Sequence, residues 1–190
     1  MAELPTRIDV LDLFCGDLRR LKQLAQRHPR KVFVGVDHVG LPVPAMASLP
    51  SNLRFVQSHA LAFLRSRLEP ASVRFVNIDY GVHHLTDKTE RRELFSRINY
   101  SLVPGGKLYV TTSNQLDVYP HALLVKEAQE AGLKVTRQRP LMPKPGASQS
   151  TFVMKHARGM VVGQRPGFEP INGAPRVPDS TRLIFTKPRR

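Results

Sequence analysis

The fold is decided by residues 8–38, which read IDVLDLFCGDLRRLKQLAQRHPRKVFVGVDH. Two apolar runs, at 8–14 and 32–36, are rich in Val, Ile, Leu and Phe, as strands buried on both faces tend to be. The segment between them carries apolar residues at helical spacing, namely Leu18, Leu21, Leu24 and Ala25. The pattern therefore predicts a strand, a helix and a second strand that Asp37 closes.

The same unit predicts a ligand site. In an open α/β sheet, small molecules bind outside the carboxyl ends of the strands, where the first loop enters a helix N-terminus. Asp37 follows that loop by about 20 residues, the spacing at which a carboxylate accepts hydrogen bonds from the hydroxyls of a ribose. Asp17 follows Gly16 directly and puts a carboxylate where a pyrophosphate would otherwise be attracted. We therefore expect a nucleoside-bearing ligand without a diphosphate, whose own charge can include a cation.

Residues 10–16 read VLDLFCG and resemble motif I of the class I S-adenosylmethionine-dependent methyltransferases. Phe14 stands where glycine is usual, and Leu18 takes the place of the second glycine of the loop. The resemblance implies that the cofactor is S-adenosylmethionine, that the turn 14–17 lines its methionine end and that Asp37 holds its ribose. An unrelated doubly wound domain with the same strand-turn-helix geometry is the alternative.

The rest of the chain fits the same order of parts. Residues 103–107 contain a Pro-Gly-Gly turn, which is typical of the connection that precedes the fifth strand of class I methyltransferases. The later strands are predicted at 53–57, 73–78, 108–112, 133–137 and 151–155, and a helix at 120–131. We therefore predict a single α/β domain over 1–158, with a doubly wound, Rossmann-like, seven-stranded methyltransferase sheet. Residues 159–190, rich in glycine and proline, are predicted to form an extended basic tail with one more short strand at 182–186.

The junction after the third predicted strand resembles the adenine-binding position of the family. Where the family usually has an acid that binds the adenine amino group, this chain has His59 followed by Ala60. A neutral His59 can accept one hydrogen bond or stack on a purine, and a plain surface histidine is the alternative. The cofactor-binding set that we predict consists of Asp12, Phe14, Cys15, Gly16, Asp17, Asp37, His38, His59, Ala60 and Asn77.

Residues 77–80, NIDY, end the fourth predicted strand, which in the resembled class is motif IV at the edge of the acceptor pocket. We predict that Asp79 and Tyr80 are the catalytic residues. Asp79 would orient the acceptor and accept a proton or hydrogen bond, and Tyr80 would stack on a flat base. The alternative is structural, with Tyr80 covering the core and Asp79 capping a turn. No metal is predicted, because the adjacent His83 and His84 have no third ligand at a fixed spacing.

The charge of the chain points to a polyanionic partner. Its 29 Lys and Arg against 15 Asp and Glu give a net charge of +14. Residues 134–190 hold 12 basic and 2 acidic residues, a balance of +10 that leaves +4 for the first 133 residues. Such a surface attracts polyanions through phosphate contacts and counterion release, and a merely soluble basic surface is the alternative. RNA is preferred to DNA, because unpaired bases offer both faces for stacking and the chain shows no duplex-reading helix motif.

Two segments are predicted to hold the RNA backbone. One is the loop from His83 to Arg92, with Lys88, Arg91 and Arg92, and the other is the basic tail. Nothing in the sequence is amphipathic enough to indicate a membrane surface, and the oligomeric state stays open.

The compartment expected by default is the cytoplasm. The N-terminus lacks the apolar stretch of a secretion signal, and no apolar run approaches the roughly 20 residues that cross a bilayer. A single cysteine cannot form an internal disulfide, which fits a reducing compartment. We interpret Cys15 as a small residue in a tight turn rather than a nucleophile, because Asp17 nearby opposes a thiolate.

Within the class, the order of parts most resembles the tRNA (guanine-N7) methyltransferases. The basic loop from His83 to Arg92 and residues 111–114, TTSN, are the positions that match, whereas the Asp-Pro-Trp-Pro of that family is absent. The resemblance implies methylation of a base in RNA, with tRNA or rRNA as the expected substrate. A small-molecule methyltransferase, or a methyltransferase-like module that binds RNA or protein without catalysis, is the alternative.

Overall fold

The computed structural model describes residues 4–41, 46–79, 81–85, 87–113, 121–141, 153–156, 159–162 and 180–189. The strands are β1 (Ile8–Leu13), β2 (Phe33–Asp37), β3 (Leu53–Gln57), β4 (Val73–Asp79), β5 (Leu102–Ser113), β6 (Lys134–Leu141), β7 (Val153–His156), β8 (Gly159–Val162) and β9 (Ser180–Thr186). The helices are α1 (Arg19–Arg27), α2 (Ala60–Ser66), α3 (Lys88–Ser101) and α4 (His121–Glu130), with a 3-10 turn at Gly81–His84. No helix within these ranges combines the length and the apolar character that a bilayer crossing requires.

Seven strands form one sheet in the order β3-β2-β1-β4-β5-β9-β6. The strands β1 to β5 are parallel, and β9 is antiparallel to both of its neighbours. The doubly wound, Rossmann-like sheet predicted from the sequence is thereby confirmed. Because β1 lies between β2 and β4, the strand order reverses there, and the crevice outside the carboxyl ends of β1 and β4 is the expected ligand site.

The antiparallel strand of the sheet is β9, so the prediction of a seventh strand at 151–155 is wrong. Most of that segment is β7, which pairs with β8 in a separate two-stranded sheet. The short strand predicted at 182–186 is confirmed as part of β9, but the prediction that these residues belong to a tail outside the sheet is wrong, because β9 pairs with both β5 and β6. Leu183 and Phe185 of β9 are fully buried, and burying such a side chain stabilises the fold by about 1.5 to 3 kcal/mol.

Apolar side chains cover both faces of the sheet. On one face, α2, α3 and α4 close the larger core over alternate strand residues, which include Val76, Ile78, Leu108 and Val110. On the other face, α1 forms a smaller core with β2 and β3, made of Leu18, Leu21, Ala25, Phe33 and Leu53. The smaller core fixes the position of the loop between β1 and α1.

The end of β9 holds the end of α3 in place. Lys187 Nζ donates hydrogen bonds to the carbonyl oxygens of Leu102 at 2.8 Å and Tyr100 at 3.5 Å, where its charge also suits the helix C-terminus. The backbone of Lys187 pairs with Gly105 and Gly106, both at 3.0 Å. The Pro-Gly-Gly stretch predicted as a turn before the fifth strand is therefore an irregular part of β5, and Gly105 supplies its left-handed residue at φ 78°.

Arg91 lies in the core between α3 and α4, so the prediction that it contacts RNA phosphates is wrong. Its side chain is 2% exposed and makes a two-pronged ion pair with the buried Glu127, with Nε 3.1 Å from Oε2. Arg91 Nη1 also donates to the carbonyl of Leu85 at 2.8 Å. Residues from Lys88 onward are helical rather than a loop, because Asp87 caps α3 through its side chain.

Candidate active site

The loop between β1 and α1 contains three residues in the left-handed backbone region: Phe14 at φ 60°, Gly16 at φ 57° and Leu18 at φ 59°. For a residue other than glycine this conformation costs roughly 1 to 2 kcal/mol. Phe14 and Leu18 are the two residues that replace the glycines of the motif I pattern. The loop therefore adopts the backbone shape of a glycine-rich turn although two of its residues carry large side chains.

Both large side chains lie against glycines of neighbouring segments. A Cβ added at Gly81, which follows β4, would lie 2.2 Å from Phe14 Cδ2 and 2.6 Å from Phe14 Cβ. A Cβ added at Gly35 of β2 would lie 2.4 Å from Leu18 Cδ2. In contrast, a Cβ added at Gly16 would meet nothing within 4 Å. The backbone at Gly16 is thus open to the approach of a ligand.

Asp37, at the end of β2, is joined to this loop. Its Oδ2 accepts a hydrogen bond from the Gly16 N–H at 2.9 Å, and its Oδ1 accepts one from the Val39 N–H at 3.0 Å. His38 Nδ1 lies 3.2 Å from Asp37 Oδ1, and Asp37 is 8% exposed. Each carboxylate oxygen has a second lone pair. Among the described residues, Oδ2 has only the Gly16 N–H as its partner and can therefore still accept a hydrogen bond from a ribose hydroxyl.

Two histidine rings lie beside Asp37. The rings of His38 and His59 are stacked, with centroids 5.6 Å apart and planes inclined by 25°. Both residues are exposed, and His59 precedes α2 without capping it through its side chain. Ala60 is 6% exposed and belongs to the core, which leaves its backbone as the part able to contact a ligand. The purine-stacking role of His59 stays a prediction, and one face of its ring is already stacked on His38.

Asp12 and Asn77 face each other on β1 and β4. Asn77 Nδ2 donates to Asp12 Oδ1 at 2.7 Å, so the amide holds Asp12 in place. Burial raises the pKa of Asp12 to about 6, with Asp79 and Asp37 adding to the rise and the Asn77 hydrogen bond and Arg20 opposing it. Burial and the nearby Asp12 and Asp37 also raise the pKa of the Cys15 thiol. A raised thiol pKa supports the interpretation of Cys15 as a packing residue.

Asp79, the last residue of β4, lies at the centre of a polar network. Its Oδ2 is 2.6 Å from Arg20 Nη1 of α1, and its Oδ1 accepts from the Thr111 hydroxyl of β5. Arg182 Nη2 of β9 lies 3.4 Å from Asp79 Oδ1 and 3.3 Å from Thr111 Oγ1. The side chain of Asp79 is 27% exposed. Four elements distant in sequence therefore meet at the carboxyl edge of the sheet.

A family model described as "Putative methyltransferase", Methyltransf_4, matches residues 6–158. The chain belongs to this methyltransferase family. The family is that of the tRNA (guanine-N7) methyltransferases, and the class I resemblance of the loop is confirmed. The chain is thus an S-adenosylmethionine-dependent methyltransferase. No curated protein matches it closely enough to count as a relative.

Solved structures of methyltransferases share the fold of this methyltransferase. An S-adenosylmethionine-dependent methyltransferase from Archaeoglobus fulgidus has a TM-score of 0.65 at 17% identity, over 95% of this chain and 86% of that one. One from Methanosarcina mazei has a TM-score of 0.62 at 13% identity, over 98% and 95%. The 16S rRNA methyltransferase KamB has a TM-score of 0.59 at 18% identity, over 96% and 89%. At these identities the likeness concerns the fold.

The residues of the crevice fit S-adenosylmethionine. The carboxylates of Asp12 and Asp37 lie beside the crevice and suit a ligand that carries a sulfonium and an ammonium, whereas Asp79 is already paired with Arg20 and Arg182. Asp37 retains hydrogen-bonding capacity for a ribose, and the space over Gly16 is open. The Phe14 ring lies against Gly81, in the turn that follows β4.

The structure brings the ends of β1, β2 and β4 together, as the sequence predicts, and adds three contacts to Asp79 that the sequence did not predict. These contacts come from Arg20, Thr111 and Arg182. Strand alternation places Arg182 on the face opposite the buried Leu183, but it does not identify Asp79 as the partner of Arg182. Asp17 is exposed and accepts a hydrogen bond from the Arg19 N–H at 3.0 Å. Tyr80 lies outside the described residues, and the ligand roles of the predicted set stay predictions.

Proposed function

We propose that this methyltransferase methylates a base in RNA, with tRNA or rRNA as substrate, and that Asp79 orients the acceptor base. The observation that carries this proposal is the position of Asp79. Asp79 is the last residue of β4, lies beside the crevice and is partly exposed. Thr111 and Arg182 both contact its Oδ1. A carboxylate fixed at this edge can accept a hydrogen bond from the N–H of a base.

Bound S-adenosylmethionine supplies an electrophilic methyl group on its sulfonium. The transfer is an in-line displacement, so the main task of the protein is to align the acceptor with the methyl group. Asp79 fixes the orientation of the acceptor, and it takes up the proton that is released when the nucleophile is an amine. Thr111 and Arg182 keep the carboxylate in one position, because both bond to its Oδ1. Tyr80 follows directly in the chain and is proposed to stack on the base.

The distribution of charge supports an RNA substrate. Lys88 and Arg92 lie in the first turns of α3, which begins at the carboxyl edge of the sheet, and both are exposed. The connection 142–179 starts and ends at the same edge, because Leu141 and Ser180 are register partners. Its sequence holds five basic and two acidic residues. The exposed Lys88 and Arg92, together with the basic sequence of this connection, suit a phosphate backbone that leads a base into the crevice.

A methyl-transfer assay tests the substrate. The purified protein is incubated with methyl-labelled S-adenosylmethionine and, in separate samples, with tRNA, rRNA, duplex DNA and a set of small amines. We expect label in tRNA or rRNA, and digestion to nucleosides followed by mass spectrometry identifies the methylated base. Label that appears only in small molecules or DNA contradicts the proposal. The absence of transfer to RNA at a cofactor concentration that saturates binding does so as well.

Variants of Asp79 test its role. We expect Asp79→Asn to lower kcat/KM for the RNA by about 100-fold, the lower range for loss of a positioned acid or base. The matched control is Asp9→Asn, because Asp9 Oδ2 accepts from the Val32 N–H at 3.0 Å at the opposite end of β1. If the two variants have the same activity, Asp79 does not orient the acceptor.

The salt dependence of the KM separates an RNA substrate from a small one. Each phosphate that a basic residue neutralises releases a counterion, so KM for RNA rises steeply with salt, whereas KM for a small neutral acceptor stays nearly constant. Arg92→Gln should reduce this slope. Its guanidinium is exposed and lies 2.6 Å from Glu130, an exposed ion pair that is easily exchanged for a phosphate.

A further inference from the structure

Arg20 spans the entrance of the crevice. It lies in the first turn of α1, and its Nη1 reaches Oδ2 of Asp79, 59 residues later, at 2.6 Å. The two residues belong to the helix after β1 and to the end of β4, which are the elements on either side of the ligand crevice. The guanidinium thus bridges the two sides of the crevice at its acceptor end.

This ion pair is easy to break. The side chain of Arg20 is 60% exposed, and ion pairs with this exposure contribute little to stability because water screens them. Asp79 keeps the Thr111 hydroxyl and Arg182 when Arg20 leaves, because both bond to its other oxygen. Arg20 can therefore change partner while the carboxylate stays in position.

The cofactor contains a carboxylate that can pair with Arg20. S-adenosylmethionine carries a carboxylate on its methionine part, and the crevice is otherwise lined by the carboxylates of Asp12 and Asp37. These residues favour the sulfonium and the ammonium of the ligand but repel its carboxylate. A planar guanidinium is the side chain that best binds a carboxylate, through two parallel hydrogen bonds.

We propose that Arg20 binds the carboxylate of the methionine part of the cofactor and releases Asp79 when it does so. Asp79 Oδ2 then becomes available to the acceptor only after the cofactor has bound. The binding of the cofactor carboxylate by Arg20 does not depend on which acceptor is methylated. The release of Asp79 toward an acceptor rests on the proposed function. Because coupling between two sites is reciprocal, an acceptor that binds Asp79 also strengthens cofactor binding.

Two nucleosides separate the contribution of the carboxylate. S-adenosylhomocysteine has the amino-acid part of the cofactor and no sulfonium, whereas 5′-methylthioadenosine has the same nucleoside and thioether without the amino-acid part. In calorimetric titration, we expect Arg20→Gln to lower the affinity for S-adenosylhomocysteine about tenfold or more, as the loss of a charged hydrogen bond does. The affinity for 5′-methylthioadenosine should change by no more than about twofold. Equal effects on the two nucleosides, or no effect on either, would overturn the proposal.

Two further variants serve as controls for this titration. Arg19→Gln removes the neighbouring arginine, which is 81% exposed and lies 3.6 Å from Asp17, and should leave both affinities unchanged. Asp37→Asn should lower the affinity for both nucleosides, because it removes the carboxylate that is predicted to bind the ribose that they share. If Arg19→Gln reproduces the loss caused by Arg20→Gln, the effect is a general one of charge on α1 and the assignment of Arg20 fails.

A last variant tests the exchange of partners. Asp79→Asn removes the carboxylate that competes for Arg20, so S-adenosylhomocysteine should bind up to about fivefold more tightly, in line with the strength of an exposed ion pair. An unchanged or lower affinity would overturn the exchange. None of these titrations contains RNA, so a failure of the RNA-methylation proposal leaves their outcome intact.

Discussion

Asp12 is the residue whose ionisation most clearly depends on its surroundings. It sits between Asn77, Asp37 and Asp79 at the end of β1, and burial is the main reason why its pKa rises from 3.8 to about 6. A carboxyl whose pKa is raised in the folded state opposes folding once it ionises, because the unfolded chain ionises more readily. The crevice thus keeps a carboxylate at neutral pH at some expense of stability.

This linkage predicts a difference in pH dependence between the protein and Asp12→Asn. Between pH 4 and 6 the folded state holds more protons at Asp12 than the unfolded state, so its contribution to stability falls as pH rises through this window. We expect the free energy of unfolding of the protein, relative to that of Asp12→Asn, to fall by about 1 to 3 kcal/mol from pH 4 to pH 7. Urea titrations at both pH values measure it. A pH-independent difference would contradict the assignment, and Asp9→Asn serves as the control.

At the scale of elements, the loop between β1 and α1 packs against the turn after β4, with the large Phe14 of the loop against the small Gly81 of the turn. Phe14 adopts φ 60° and covers Gly81, and the backbone of Gly81 itself is not in the left-handed region. A methyl group at Gly81 would therefore cause a steric conflict without backbone strain. The conflict involves Phe14 Cβ as well as the ring, so a rotation of the ring cannot remove it.

A double-mutant cycle tests this fit. We expect Gly81→Ala alone to lower the free energy of unfolding by about 1 to 3 kcal/mol, as overpacking does. Phe14→Gly removes the obstructing side chain, so the double variant Phe14→Gly/Gly81→Ala should lose at least about 0.5 kcal/mol less than the sum of the two single variants. Additive losses in urea unfolding would show that the two residues do not interact.

The packing of α3 against α4 depends on a buried ion pair, in contrast to the exposed pairs on the same helices. Removing one partner of a buried pair leaves an uncompensated charge, which typically costs about 3 to 5 kcal/mol. We therefore expect Glu127→Ala to destabilise the protein by this amount in urea unfolding. Glu130→Ala, which removes the exposed partner of Arg92, should cost about 1 kcal/mol or less. Similar losses for both variants would contradict the burial of Arg91.

At the scale of the whole molecule, the last strand completes a sheet whose other strands are all formed within the first 141 residues. Without β9, β6 has no partner in the sheet and the edge of β5 is open. The buried Leu183 and Phe185 would also be lost from the larger core. Strand β9 therefore belongs to the same sheet as β1 to β6, although the family match ends at residue 158.

Two truncations test this dependence. A chain that ends at residue 179 lacks β9, and we expect it to show no cooperative unfolding transition by circular dichroism. A chain that ends at Pro188 keeps Lys187 and its bonds to α3 and β5, so its Tm should lie within a few degrees of the full-length value. A cooperative transition in the shorter chain would show that residues 180–190 are dispensable for the domain.

The sequence by itself determined the opening strand-helix-strand unit, the acid at the end of β2, the places of β3, β4 and β5, and the basic charge. These features follow from the periodicity and spacing of residues within short segments, so the local sequence is enough to predict them. The tertiary structure alone decided that β9 rather than 151–155 enters the sheet, that Arg91 is buried against Glu127, and that Arg20 and Arg182 meet Asp79. The physical reason is that these outcomes depend on pairing between residues 36 to 103 positions apart, for which local sequence carries no signal.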